Sequence, residues 1–137
     1  MVGYERILVP VDFSDSTAAV LDAAAGFARA FGAKLDVLHV CALHGEGAAE
    51  AERELDRALP KDLADVIGSK RIARALSPDL GIIHEARKRG ADLVVMGTHG
   101  RSGLRHVLIG SVAERVVQLA GCPVLTVHRA NHRFERP

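Results

Sequence analysis

A chain of 137 residues suits one domain and is long enough to bury a full core. Its 48% apolar and 26% charged residues, with a formal net charge of only +1, give the composition of an ordinary soluble globular protein. That balance leaves no basic footprint for nucleic acid, and 4% aromatics without Trp leave no base-stacking platform.

Apolar runs far short of a membrane span, and an N-terminus without a signal-peptide core, set the expectation of a cytoplasmic protein with no membrane partner. Cys41 and Cys122 show neither CxxC nor zinc spacing and read as buried thiols in a reducing compartment.

Residues 7–11, Ile-Leu-Val-Pro-Val, read as a fully buried strand that Pro10 ends. Asp12 follows, then Ser14, Asp15 and Ser16, a cluster of helix-capping residues. The first helix carries an apolar stripe through Val20, Leu21, Ala24, Phe27, Ala28 and Phe31, with Gly32 at its C-terminal stop. Residues 35–40 form a second apolar strand, and residues 42–47 a loop.

Residues 48–59 are helical, and Leu55, Leu59, Leu63, Val66 and Ile67 extend the stripe until Gly68 closes it. Pro60 interrupts that stripe; it breaks the helix, kinks it, or opens a second one. A short edge strand is expected over 71–76. Ser77-Pro78 then starts a helix whose apolar face is Leu80, Ile82, Ile83 and Ala86 and which Gly90 stops. Glu85 and Arg89 read as a surface pair. Strand 92–96, a glycine-rich loop, helix 111–120, Gly121 and a last strand over 124–128 complete the order, with residues 129–137 as a polar, frayed tail.

Strands written as continuous apolar runs and alternating with helices imply a parallel sheet covered on both faces. Ligands of such doubly wound sheets sit beyond the strands' carboxyl ends, where strand order reverses. The loop after strand one (Pro10, Val11, Asp12) would therefore lie beside the loop after strand four.

That second loop is the most informative stretch. Gly97-Thr98-His99-Gly100-Arg101-Ser102-Gly103 follows a buried run and leads through Gly110-Ser111-Val112 into a helix. Glycines admit close backbone approach, and the free N–H groups of a helix N-terminus favour phosphate. Ser111 could cap that helix or donate its hydroxyl to a phosphate. There is no Gly-Lys-Ser/Thr, and no G-x-G-x-x-G follows a strand. The spacing present is Gly97-x2-Gly100-x9-Gly110-Ser111.

This spacing resembles the ATP-binding signature of the universal stress protein family, and the resemblance runs over about residues 4–128. It includes Tyr4 to Ser14, Gly90 to Gly97, Gly110 to Val116 and Cys122 to Val127, and is weakest across 43–77. It implies a three-layer, doubly wound, five-stranded parallel sheet of order 3-2-1-4-5 with helices on both faces. It further implies a homodimer formed through the last strand, Val124 to Val127, and, since the glycine signature is intact, membership of the ATP-binding branch. Carried over by position, Pro10, Val11 and Asp12 would lie along adenine and ribose. Val40 would flank the adenine, and Met96 and Gly97 would bound the ribose. His99, Gly100, Arg101, Gly110, Ser111 and Val112 would meet the phosphates of ATP (ADP and AMP being the alternatives) with its Mg²⁺. Ser77-Pro78 departs from the glycine that relatives often carry before the third helix.

Each of these residues also has a plainer role. Asp12 could only cap the first helix, and His99 and Arg101 could simply face water. His84-Glu85 is no zincin motif, because position 88 is Lys. No nucleophile, base and acid assemble into a catalytic set, and no metal site is expected. The reading is an ATP-binding regulatory module, at most a slow ATPase. The alternatives are a dimeric interaction protein with an empty loop and an adenine-nucleotide-dependent transferase or hydrolase.

Overall fold

The computed structural model describes residues 3–45, 47–98 and 109–128. The expected residues His99, Gly100 and Arg101 lie outside them. Strands β1 (Arg6–Pro10), β2 (Lys34–Ala42), β3 (Ile67–Ala75), β4 (Leu93–Gly97) and β5 (Val124–Val127) form one parallel sheet. Its order is β3-β2-β1-β4-β5, as the resemblance implies. Helices α1 (Thr17–Phe31), α2 (Ala48–Ala58), α3 (Pro78–Arg89) and α4 (Ser111–Leu119) make the connections. No helix among the described residues is long and apolar enough to cross a membrane.

Side chains alternate across the sheet and divide the core in two. Ile7, Val9 and Val11 of the β1 stretch and Leu35 and Val37 of β2 pack with Val20, Leu21 and Ala24 of α1 and Leu55 of α2. On the other face Leu8, Leu38, Val94 and Met96 pack with Ile82 and Ala86 of α3 and Ala113 and Val116 of α4. The order reverses between β1 and β4: α1 and α2 cover one face, α3 and α4 the other, and a crevice opens where the connections diverge.

The helix stops fall where glycine is needed. Gly32 and Gly90 adopt left-handed φ of 67° and 63° at the ends of α1 and α3, which a side chain would resist. Pro60 separates two elements: α2 ends at Ala58, and a short 3-10 turn covers Lys61–Leu63. Leu55, Leu63 and Val66 still reach one core, but from a helix, a turn and the approach to a strand.

Two local expectations are corrected. β3 begins at Ile67, well before residue 71, so Gly68 stands inside the strand and does not close a helix. The register shifts there, with Leu35 opposite Ile67 but Asp36 opposite Ser69. Gly68 is the extra residue, and a Cβ on it would stand 3.0 Å from that of Lys34. Glu85 and Arg89 are not a surface pair. Glu85 is 5% exposed, and Arg89 Nε lies 3.1 Å from its carboxylate. Arg89 also donates to Ser69 Oγ (3.3 Å), whose hydroxyl donates to Asp36 Oδ1 at 2.7 Å. α3 therefore presses a charged network onto β2 and β3.

Candidate functional site: a cleft at the switch point

A cleft of about 560 Å³ opens at the carboxyl ends of β1, β2 and β4. Pro10, Val11, Asp12, Val40, Met96, Gly97, Gly110, Ser111 and Val112 all line it. Chain segments far apart in sequence thus converge where the doubly wound topology concentrates ligands. The backbone N–H of Gly110 donates to the Thr98 carbonyl at 2.6 Å, tying the end of β4 to the start of α4. Gly110 is the N-cap of α4, extended at φ −73°, and contributes no side-chain cap. Ser111 is the first helical residue, not the cap, and its exposed side chain faces the cleft. The first N–H groups of α4 are left without intrahelical partners, as at any helix start.

Asp12 shows the plainer role as well. Its Oδ1 accepts the Ser14 N–H at 3.0 Å, a turn that leads the chain into α1. Ser16, the N-cap, makes no side-chain cap; its hydroxyl pairs with that of Ser14 at 2.9 Å. Between Asp12 and Ser14, Phe13 holds a left-handed φ of 61°, the one positive φ among the described non-glycine residues. Its ring stacks on the His39 imidazole with centroids 4.2 Å apart. Strain of this kind persists where the surroundings enforce it, and it gathers at ligand sites. Cys41, too, lines the cleft and is half-buried, as is Cys122, so neither thiol is the fully buried one expected. Burial still pushes the Cys122 thiol up from its ordinary range.

The wall beneath Val40 depends on Gly81 of α3. A Cβ there would meet Val40 Cγ1 at 2.6 Å, Val40 Cγ2 at 2.9 Å and Ala75 Cβ at 3.2 Å. Alanine would gain up to about 1 kcal/mol of helix propensity, whereas overpacking costs about 1–3 kcal/mol. Val40 is stiff at χ1, so the clash should win. Gly81→Ala is expected to lower stability by about 1 kcal/mol and to push Val40 into the cleft. Chemical denaturation checks this, and adding Val40→Ala should restore the loss.

On the rim, Pro78 occupies the start of α3 and lines the cleft. Next to it, the Ser77 hydroxyl, helped by the Arg115 guanidinium 3.0 Å away on α4, holds the Asp79 carboxyl below its ordinary value of 3.8. A depressed folded-state pKa contributes stability above the ordinary value and loses it as pH falls through the lower one. Asp79→Asn should therefore cost about 1 kcal/mol at pH 7. The difference should close as pH falls through that lowered value, as melts at pH 7 and in acid would show.

The sequence reading missed Phe13, Thr17, His39 and Glu50, which also line the cleft. His39 had a usable signal: it is a polar residue near the carboxyl end of an otherwise apolar strand.

A parallel sheet of this order with a glycine-edged crevice at its switch point defines a doubly wound α/β protein. A sequence profile of the universal stress protein family matches residues 3–128, and the chain belongs to that family. Universal stress protein MJ0531 of Methanocaldococcus jannaschii is 37% identical over 141 aligned residues, spanning 92% of this chain and 83% of that protein. A universal stress protein solved in complex with cAMP superposes with a TM-score of 0.72 at 29% identity, covering 93% of this chain and 99% of that one. Another, from Archaeoglobus fulgidus in complex with dAMP, gives a TM-score of 0.66 at 27% identity, covering 92% and 98%.

Proposed function

We propose that this protein is a nucleotide-binding regulatory module that holds ATP in the switch-point cleft. The observation that carries the reading is the convergence of Pro10, Asp12, Val40, Met96 and Gly97 with the α4 N-terminus around one cavity. The slot between Pro10, Val40, Ile82 and Met96 suits a flat apolar base, and Asp12 suits hydroxyl or amino donors. The first turn of α4, with Gly110, Ser111 and Val112, suits the phosphates. In this reading His99, Gly100 and Arg101 complete that grip. Relatives solved with cAMP and with dAMP support an adenine nucleotide as the ligand class. Mg²⁺ would enter as the phosphates' counter-ion, since no group of described His, Cys, Asp or Glu side chains could hold a metal by itself.

The module works in the cytoplasm as a homodimer. β5 is an edge strand, bonded to β4 alone among the described strands, and its four residues are half-buried. Hydrolysis is slow or absent in this reading, because Gly110, Ser111 and Val112 at the start of α4 offer no general base to activate water. Denaturing the purified chain without added nucleotide and identifying what is released tests the ligand. Co-purified adenine nucleotide is expected, and a different co-purified ligand would displace the reading. Sedimentation equilibrium should give the mass of two chains, and a monomer would remove the dimer.

A further inference from the structure

The cleft opens onto both faces of the sheet, and the nucleotide reading uses only one. Along β2, Leu38 packs into the α3/α4 core with Val40 against it, so the alternation sends His39 and Cys41 to the α1/α2 face. There the cavity runs between the first turn of α1 and the start of α2, with Val20 and Ala51 as apolar walls.

The His39 imidazole is fixed in this lobe. Its Nδ1–H donates to the Val11 carbonyl at 2.7 Å, since a carbonyl can only accept. In the neutral ring Nε2 is then the acceptor. The Phe13 ring stacks on the imidazole with centroids 4.2 Å apart and planes 29° from parallel. Phe13 does so from a left-handed backbone at φ 61°, which a bulky side chain resists. The end of β1 does not need the histidine to hold it, because the Val11 N–H already donates to the Leu38 carbonyl at 2.8 Å. A hydrogen-bond acceptor is thus oriented in advance on a cavity wall, at a cost in backbone strain.

A hydroxyl lines the same cavity. Thr17, the first residue of α1, is 8% exposed, and its buried Oγ1 has no hydrogen-bond partner among the described residues. An unpaired buried hydroxyl is unfavourable, and a helical threonine has two χ1 wells, so Oγ1 can swing to a partner in the cavity. A nitrogen that accepts and a hydroxyl that donates call for an N–H and a C=O on the ligand. An amide edge supplies both. Apolar walls with a few placed polar groups suit a flat, uncharged body. A ring of benzene size needs about 150 Å³, well within the cleft's 560 Å³.

We infer that this lobe binds a flat, uncharged ring bearing an amide edge. The ligand's N–H donates to His39 Nε2, and its carbonyl accepts from Thr17 Oγ1.

The experiment uses the full, nucleotide-free chain with isotope-labelled histidine. It follows the His39 Nε2 resonance by NMR at about pH 8, where imidazole is ordinarily neutral. The His39→Gln variant assigns that signal. Benzamide should move it saturably to the shielded side, as a ring nitrogen moves on accepting a hydrogen bond. Methyl benzoate keeps the ring and carbonyl but lacks the N–H, and should bind at least roughly fivefold more weakly. Thr17→Val should weaken benzamide by roughly fivefold, and Thr17→Ser should bind it as the parent does. No saturable shift, equal binding of methyl benzoate, or parental affinity in Thr17→Val would each overturn the inference. The ester comparison needs no variant, and because no nucleotide is present the outcome is independent of the ATP reading.

Discussion

Gly110→Val is expected to weaken ATP binding by at least about 100-fold, or roughly 2.7 kcal/mol, while the protein stays folded. The residue sits at φ −73° and ψ 163°, a conformation open to any L-residue, so the backbone has no reason to resist valine. Its N–H bond to the Thr98 carbonyl also survives the change. What changes is the mouth of α4: an isopropyl group would stand where a phosphate must approach the free N–H groups. Circular dichroism and a thermal melt report the fold, and a binding titration reports the loss. A folded variant with wild-type affinity would mean that the phosphates do not sit at this terminus.

Arg89→Met should be the most damaging change away from the cleft, at about 3–5 kcal/mol. The guanidinium lies 3.1 Å from the Glu85 carboxylate and 3.9 Å from that of Asp36, and all three side chains are largely enclosed. Without it, Glu85 keeps only Arg71 among the described residues, at 4.0 Å and from a half-exposed side chain. An uncompensated buried carboxylate costs far more than the pair contributes. Changing Glu85 to Leu in the same chain should therefore recover at least half of the loss. Urea denaturation of the two variants decides this, and a double variant no better than the single one would show that the network matters for shape and not for charge.

The order of elements was legible because most of the parallel strands are written as apolar runs and two of the helices between them, α1 and α3, end on glycine. Gly32 and Gly90 show the signal at work: both are left-handed, as a helix stop requires. The same habit misreads Gly68, because a glycine in a bulge and a glycine at a helix end look alike in one dimension. Glu85 and Arg89 misled for a related reason. Spacing of four places two side chains on one helix face, but it does not say whether a sheet covers that face. α3 makes the point doubly, since Leu80, assigned to its apolar face, is 44% exposed while Glu85 is buried.

The cleft was legible in outline. Topology alone sets the loops after β1 and β4 side by side, and the glycine spacing pointed to the start of α4, whose Gly110, Ser111 and Val112 line the cleft. The lobe beneath His39 and Cys41 was not legible. It depends on where α2 lies over the sheet, and Pro60 with the surrounding loops obscured that placement.

The most direct test of the account is a calorimetric titration of the nucleotide-stripped protein with Mg-ATP. The expected result is saturable heat with one site per chain. No heat of binding to a folded protein would contradict the central claim, leaving a universal stress protein whose cleft serves something other than ATP.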